Sequence, residues 1–158
     1  MRILATATLA TTLLGCSGES TMPPGFNEAC YGGNYSKNLS GANPIYSATL
    51  TVDRPSQPTL RRLLFQLAEQ HQPKAFDDGA NYNNQFFSVY LCSAQGVFAS
   101  VDSRAAGENS VRVTVFSYNE SWRPEQFVGD LSAALSSQWP DGLRMEDPSN
   151  TTLRNSIL

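Results

Sequence analysis

The sequence predicts an α+β fold: a two-layer sandwich in which a mostly antiparallel sheet of four to five strands carries two helices on one face. Three observations lead there. Apolar and polar residues alternate with period two in four segments. Apolar stripes of helical period appear on either side of the last three of those segments. The links between those last three are too short for a crossover helix, which makes them an antiparallel meander. The order is β-α-β-β-β-α, with a short further strand candidate over 143–146.

Each element has a local reason. Tyr46, Ala48, Leu50 and Val52 alternate with Ser47, Thr49, Thr51 and Asp53, a half-buried strand that Asp53-Arg54-Pro55 ends. Ser56 is placed to cap the next helix, with Pro58 tolerated in its first turn. Leu60, Leu63, Leu64, Leu67 and Ala68 then form one stripe, predicting a helix over 57–71 that Pro73 stops. Residues 72–84 read as a polar loop. Strands follow over 85–92, 96–102 and 110–118, with turns at Ser93-Ala94-Gln95 and Gly107-Glu108-Asn109. Pro124 opens a second helix, whose apolar face is Phe127, Val128, Leu131, Leu135 and Trp139, and Pro140-Asp141-Gly142 closes it. The reading divides the chain into 1–15 as a signal segment, 16–45 as a tether, 46–146 as one α+β domain, and 147–158 as a tail.

The start of the chain carries its most specific motif. Met1-Arg2 precedes an uncharged run from Ile3 to Leu14, too short to span a membrane as a helix and patterned like a secretory signal. Leu13-Leu14-Gly15-Cys16 resembles the lipobox of bacterial lipoproteins. The resemblance implies cleavage before Cys16 and acylation of that cysteine, which would be the membrane attachment. Ser17, rather than an aspartate, resembles the sorting pattern for the outer membrane. These expectations place the protein in the bacterial cell envelope, lipid-anchored. The segment from Ser17 to Gly25 has the composition of a flexible spacer.

Of three cysteines, acylation of Cys16 leaves Cys30 and Cys92, an even number in an oxidising compartment. The sequence therefore predicts a Cys30–Cys92 disulfide. Closing a loop of that length is worth on the order of 4 kcal/mol in the chain-entropy model.

Read face by face, the meander puts Phe87, Val89, Leu91, Val97, Ala99, Val101, Val111, Val113 and Val115 against the helices. The opposite face receives Phe86, Ser88, Tyr90, Cys92, Phe98, Ser100, Arg112, Thr114, Phe116 and Tyr118. That is an unusual density of rings for a wet surface. Two arrangements account for it. In one, the segment before Tyr46 lies over the face, drawn there by the disulfide. In the other, part of the face stays open as a protein-binding surface of Phe86, Tyr90, Phe98, Arg112, Phe116, Tyr118 and Trp122, residue types such surfaces favour.

Composition and motifs narrow the function classes. With 11 Lys+Arg against 14 Asp+Glu and no basic cluster, nucleic acid is not an expected partner. The chain carries no GxSxG, P-loop, HExxH or Rossmann glycine pattern. Its single histidine, His71, sits near a helix C-terminus, where cationic character suits the dipole. The weak metal candidates are Asp77 and Asp78, in an Asp/Asn/Gly run that lacks the ligand spacing of an EF-hand. The expectation is a non-enzymatic envelope lipoprotein, without cofactor or metal, that acts as a binding module toward a protein partner. An immunity-type lipoprotein that neutralises a toxin, a structural lipoprotein and an envelope hydrolase are the alternatives.

Overall fold

A computed structural model describes residues 25–31, 42–93, 96–104, 106–117 and 124–150. In chain order the elements are α1 (Phe26–Tyr31), β1 (Asn43–Thr51), α2 (Gln57–His71), β2 (Lys74–Asp77), β3 (Ser88–Ser93), β4 (Gly96–Asp102), β5 (Ser110–Ser117), α3 (Glu125–Gln138) and β6 (Leu143–Glu146). Short 3₁₀ turns occupy Arg54–Ser56, Gly79–Tyr82 and Pro148–Asn150. None of the helices described is long and apolar enough to cross a membrane.

All six strands pair antiparallel in the order β2-β3-β4-β5-β1-β6. The α+β sandwich is the fold, with more strands than the alternation alone marks out. The added strand is β2. Its sequence, Lys-Ala-Phe-Asp, has one strong apolar residue, so it carries little period-two signal. Pairing with β3 gives it a strand's conformation all the same, through Phe76↔Tyr90 and Asp77↔Val89.

The main core lies between the sheet and helices α2 and α3. Leu60, Leu64, Leu67 and Ala68 from α2, and Phe127, Leu131 and Leu135 from α3, pack on Val89, Leu91, Val101, Val111, Val113 and Val115. The apolar stripe on each helix is thus the buried one. His71 Nε2 lies 2.9 Å from Asp130 Oδ2 and joins the end of α2 to α3.

Two details depart from simple alternation. Between Leu91 and Cys92 the register with β4 slips: Leu91 pairs with Ala99, but Cys92 pairs with Val97. Phe98 is the extra residue of this β-bulge. A bulge turns the strand's following pleat over. As a result Phe98 faces the helices, 4.9 Å from the Phe127 ring, and Val97 joins the other face. The assignment of Phe98 to the opposite face, and of Val97 to the helix face, is therefore corrected. A second slip, between Pro44 and Tyr46, leaves Ile45 exposed beside a buried Tyr46.

The stretch read as tether also holds structure. Helix α1 packs on β3 and β4, on the side of the sheet away from α2 and α3. It is held by a Cys30–Cys92 disulfide. Six residues make too short a helix to persist alone in water, so tertiary contacts hold α1 in place.

Candidate functional site

The face away from α2 and α3 has a built interior. Its cross-strand rows follow from the register. One row runs Glu146–Ser47–Thr114–Ser100–Tyr90–Phe76 across all six strands, and the next runs Arg144–Thr49–Arg112–Asp102–Ser88. Both alternate with apolar rows on the helix side, because successive residues of a strand point to opposite faces.

One end of this face is apolar. Phe26 and Cys30 of α1 bury against Tyr90, Cys92, Val97 and Phe116, with Phe76 at the margin. Phe26 meets Phe76 and Tyr90 edge-on at ring separations of 5.4 and 5.5 Å, the arrangement that aromatic quadrupoles favour.

The other end is charged. Asp102, with a side chain only 4% exposed, ends β4. Arg104 folds back two residues later and donates from Nε to both carboxylate oxygens, at 3.0 and 2.9 Å; its Nη2 closes a further contact to Asp102 Oδ2. Ser88 Oγ donates to the same carboxylate at 3.0 Å, and Arg104 Nη2 donates to Tyr90 Oη at 2.9 Å. The guanidinium also lies 4.5 Å from the centre of the Phe86 ring, a cation–π contact. Burial works against the charged guanidinium, but the hydrogen bonds and charge of Asp102, with Tyr90, outweigh it and hold the Arg104 pKa above its ordinary value. Burial raises the Tyr90 hydroxyl, which Ser88 and Arg104 only partly offset, so it stays protonated well into alkaline solution. The charges continue across the sheet with alternating sign. Arg112 is the cross-strand neighbour of Asp102, and its Nε lies 3.3 Å from Glu146 Oε2. Glu146 also accepts from Thr49 Oγ1.

The candidates named from sequence fall into distinct environments. Tyr90 and Phe116 are fully buried. Phe98 belongs to the helix-side core. Arg112 is partly exposed and paired, and Phe86 lies partly exposed beneath Arg104. Tyr118, Trp122 and Cys16 lie outside the described residues. Asp77 Oδ2 is 2.6 Å from Arg61 Nε, and its Oδ1 accepts from the Ala80 N–H at 3.3 Å. Asp78 is buried, and its backbone N–H donates to Ser88 O. Among the described residues no three His, Cys, Asp or Glu side chains converge on a metal-sized site.

Sequence reasoning missed Arg104 and the role of Asp102. The signal was present: alternation puts Asp102 on the same side as Ser100, next to Ser88, where an isolated buried carboxylate demands a cation. Comparison of the chain with protein-family models, with curated proteins and with solved structures returned no match. The functional reading therefore rests on the residues themselves.

Proposed function

We propose that the protein is an envelope lipoprotein that acts by contact rather than by catalysis, anchored through Cys16 with its α+β domain displayed beside the membrane. The observation that carries this reading is the Cys30–Cys92 disulfide. Structural disulfides belong to oxidising compartments, and this one occupies both cysteines of the folded domain. The remaining thiol of the chain stands where the start of the sequence resembles a lipobox. Ser17 favours the outer membrane.

The side chains support contact over chemistry. Acid–base catalysis needs a group held near a reacting atom with its proton free to move. Among the described residues, several partly buried ionic groups are instead spent on one another: Asp102 on Arg104 and Ser88, Asp77 on Arg61, Glu146 on Arg112 and Thr49. Such pairs fix a shape. The rings of Tyr90 and Phe116 serve that shape from the interior, so a partner meets the loops and edges around them.

Two measurements test the reading. Mass spectrometry of the mature N-terminus from the membrane fraction should find a diacylated or triacylated Cys16. In Cys16→Ala, the domain should move to the soluble fraction with its melting temperature unchanged. An intact Met1, or membrane retention without Cys16, overturns the anchor.

A further inference from the structure

The two edges of the sheet are finished differently. At one edge, β2 follows Pro73, begins with Lys74 and is tied to α2 through the Arg61–Asp77 ion pair. Proline, lysine and a covering element are the devices that keep an edge from pairing. At the other edge no described strand lies beyond β6, and its Met145 is 58% exposed, more than any other large apolar side chain described. We propose that the β6 edge docks a second copy of this chain, strand against antiparallel strand, across a two-fold axis at Met145. The inference rests on the reading that the domain acts by contact, and it names the partner.

The backbone of the open edge is in the right phase. Thr51 N–H donates to Gly142 O at 2.9 Å, and Val52 N–H donates to Asn109 O, on the other side of β1, at 2.9 Å. Residues of a strand alternate between its two neighbours. Gly142, Arg144 and Glu146 therefore turn their backbone groups toward β1, and Leu143 and Met145 turn theirs outward. With the axis at Met145, the two Met145 residues form a hydrogen-bonded pair and exchange both N–H···O bonds. Leu143 then faces Asp147 of the second copy, and the turn at Pro148–Asn150 ends the match there.

The side chains select this register. The pairs Ala48↔Met145 and Thr49↔Arg144 put Met145 on the helix side, and Arg144 and Glu146 on the other. An axis at Met145 sets Arg144 opposite Glu146 of the second copy, and Glu146 opposite its Arg144. Both are non-hydrogen-bonded pairs, where Cα atoms approach to about 4.5 Å and opposite charges attract. An axis at Arg144 or at Glu146 sets that residue against its own like charge. An axis at Leu143 leaves Arg144 facing Gly142. Arg144 is exposed and makes no ion pair among the described residues, whereas Glu146 already lies beside Arg112. The alternating charges of Asp102, Arg112 and Glu146 thus continue into Arg144 of the second copy.

A two-fold axis normal to the sheet keeps both helix layers on one side and both α1 helices on the other. That arrangement suits two anchors in one membrane. An edge of four residues buries less than the ~1,200 Å² of a stable complex. The pairing is therefore weak and reversible, and anchoring strengthens it by raising the effective concentration.

The test uses the full-length protein in lipid vesicles or, should Cys16 prove unacylated, in concentrated solution. Under mild oxidation Met145→Cys should form a disulfide-linked dimer severalfold faster than Ser137→Cys, which is exposed on α3 and reports random collision. Energy transfer between donor- and acceptor-labelled copies reads the pairing in the variants. Met145→Pro removes the outward N–H and leaves the ladder to β1 untouched. It should weaken pairing about tenfold, with the melting temperature near native. Arg144→Glu and Glu146→Arg should each weaken pairing severalfold, and an equimolar mixture of the two should restore it, because every facing pair is again of opposite charge. Glu146 also serves Arg112 and Thr49; if Glu146→Arg fails to fold, Met145→Pro and Arg144→Glu decide. Equal cross-linking at 145 and 137 overturns the proposal, as does pairing that survives Met145→Pro. If the chain stays monomeric and Met145→Pro releases a bound foreign protein, the edge serves another strand and the second copy is the wrong occupant. Acylated Cys16 without pairing makes the dimer fail alone. Pairing without acylation removes only the anchor.

Discussion

On the helix side of the sheet a cross-strand row reads Ala48–Val113–Val101–Val89; one residue along each strand, on the other side, the row reads Thr49–Arg112–Asp102–Ser88. The first needs only volume and dryness. Its residues interlock with two helices, and a neighbouring methyl group substitutes with modest loss. The second works only if each member finds its particular partner. Asp102 without Arg104 is a charge out of water, and α1 without Cys30 is a one-and-a-half-turn peptide. The same backbone thus carries a face stabilised by non-specific burial and a face stabilised by specific pairings. The second kind of face is the one that can hold a loop or a ring in a single position.

Substitutions should separate the two. A large effect is expected for Arg104→Ala, which strands the buried Asp102 carboxylate. Breaking a buried pair costs about 3–5 kcal/mol, discounted here because the Arg104 side chain is 30% exposed. Urea unfolding checks this. Asp102→Asn should cost less than Arg104→Ala, because the cation it frees can reach water; equal losses would mean that burial of the carboxylate is not the dominant cost. On the helix side, Leu64→Ala or Leu131→Ala should cost about 2–5 kcal/mol through the cavity left, with no dependence on salt. Phe116→Ala and Phe98→Ala should cost about 3–5 kcal/mol each. Near-equal values from opposite faces would show that Phe116 is interior to the same degree as Phe98.

Smaller effects sharpen the contrast by pH. Tyr46 on the helix side and Tyr90 on the other both have pKa values raised by burial, Tyr46 being partly offset by Ser132. A group whose folded pKa is raised contributes stability that is complete below its unfolded value and lost as pH climbs toward the folded one. Stability should therefore fall above about pH 10, the ordinary tyrosine range. Tyr90→Phe should flatten part of that fall, at a cost near neutral pH of about 1 kcal/mol for the lost hydrogen bond to Arg104. An unchanged alkaline slope in both Tyr46→Phe and Tyr90→Phe would count against their burial. The smallest change is expected for Asp130→Ala, which removes a half-exposed partner of His71 and should shift stability by about 0–1 kcal/mol.

The two faces also differ in how far the sequence revealed them. Period-two and period-3.6 patterns placed both main helices and four of the strands, because burial against one flat surface writes itself into spacing. The Cys30–Cys92 pairing followed from thiol parity. The patterns failed where one residue breaks the period. Alternation puts Phe98 on the wrong face because a bulge is a single extra residue with no compositional mark. Strand β2 reads as loop because an edge strand of four residues has too few positions to alternate. Helix α1 was hidden because its stability comes from Phe26 and Cys30 finding β3 and β4, not from helix propensity. Alternation put Tyr90 and Phe116 on the face away from α2 and α3, where both are buried against α1 rather than open to a partner. It did not reveal Arg104, whose importance appears only when a turn brings it back over Asp102 and Phe86.

The claim that the second face depends on specific pairings is tested most directly by amide hydrogen exchange on Cys30→Ala/Cys92→Ala. The account predicts a local loss: the α1 amides, including Ala29 N–H, which bonds to Gly25 O, lose protection, while β4, β5, α2 and α3 keep nearly all of theirs. Protection of α1 equal to that of the native protein, or loss of protection throughout the sheet at once, would contradict it.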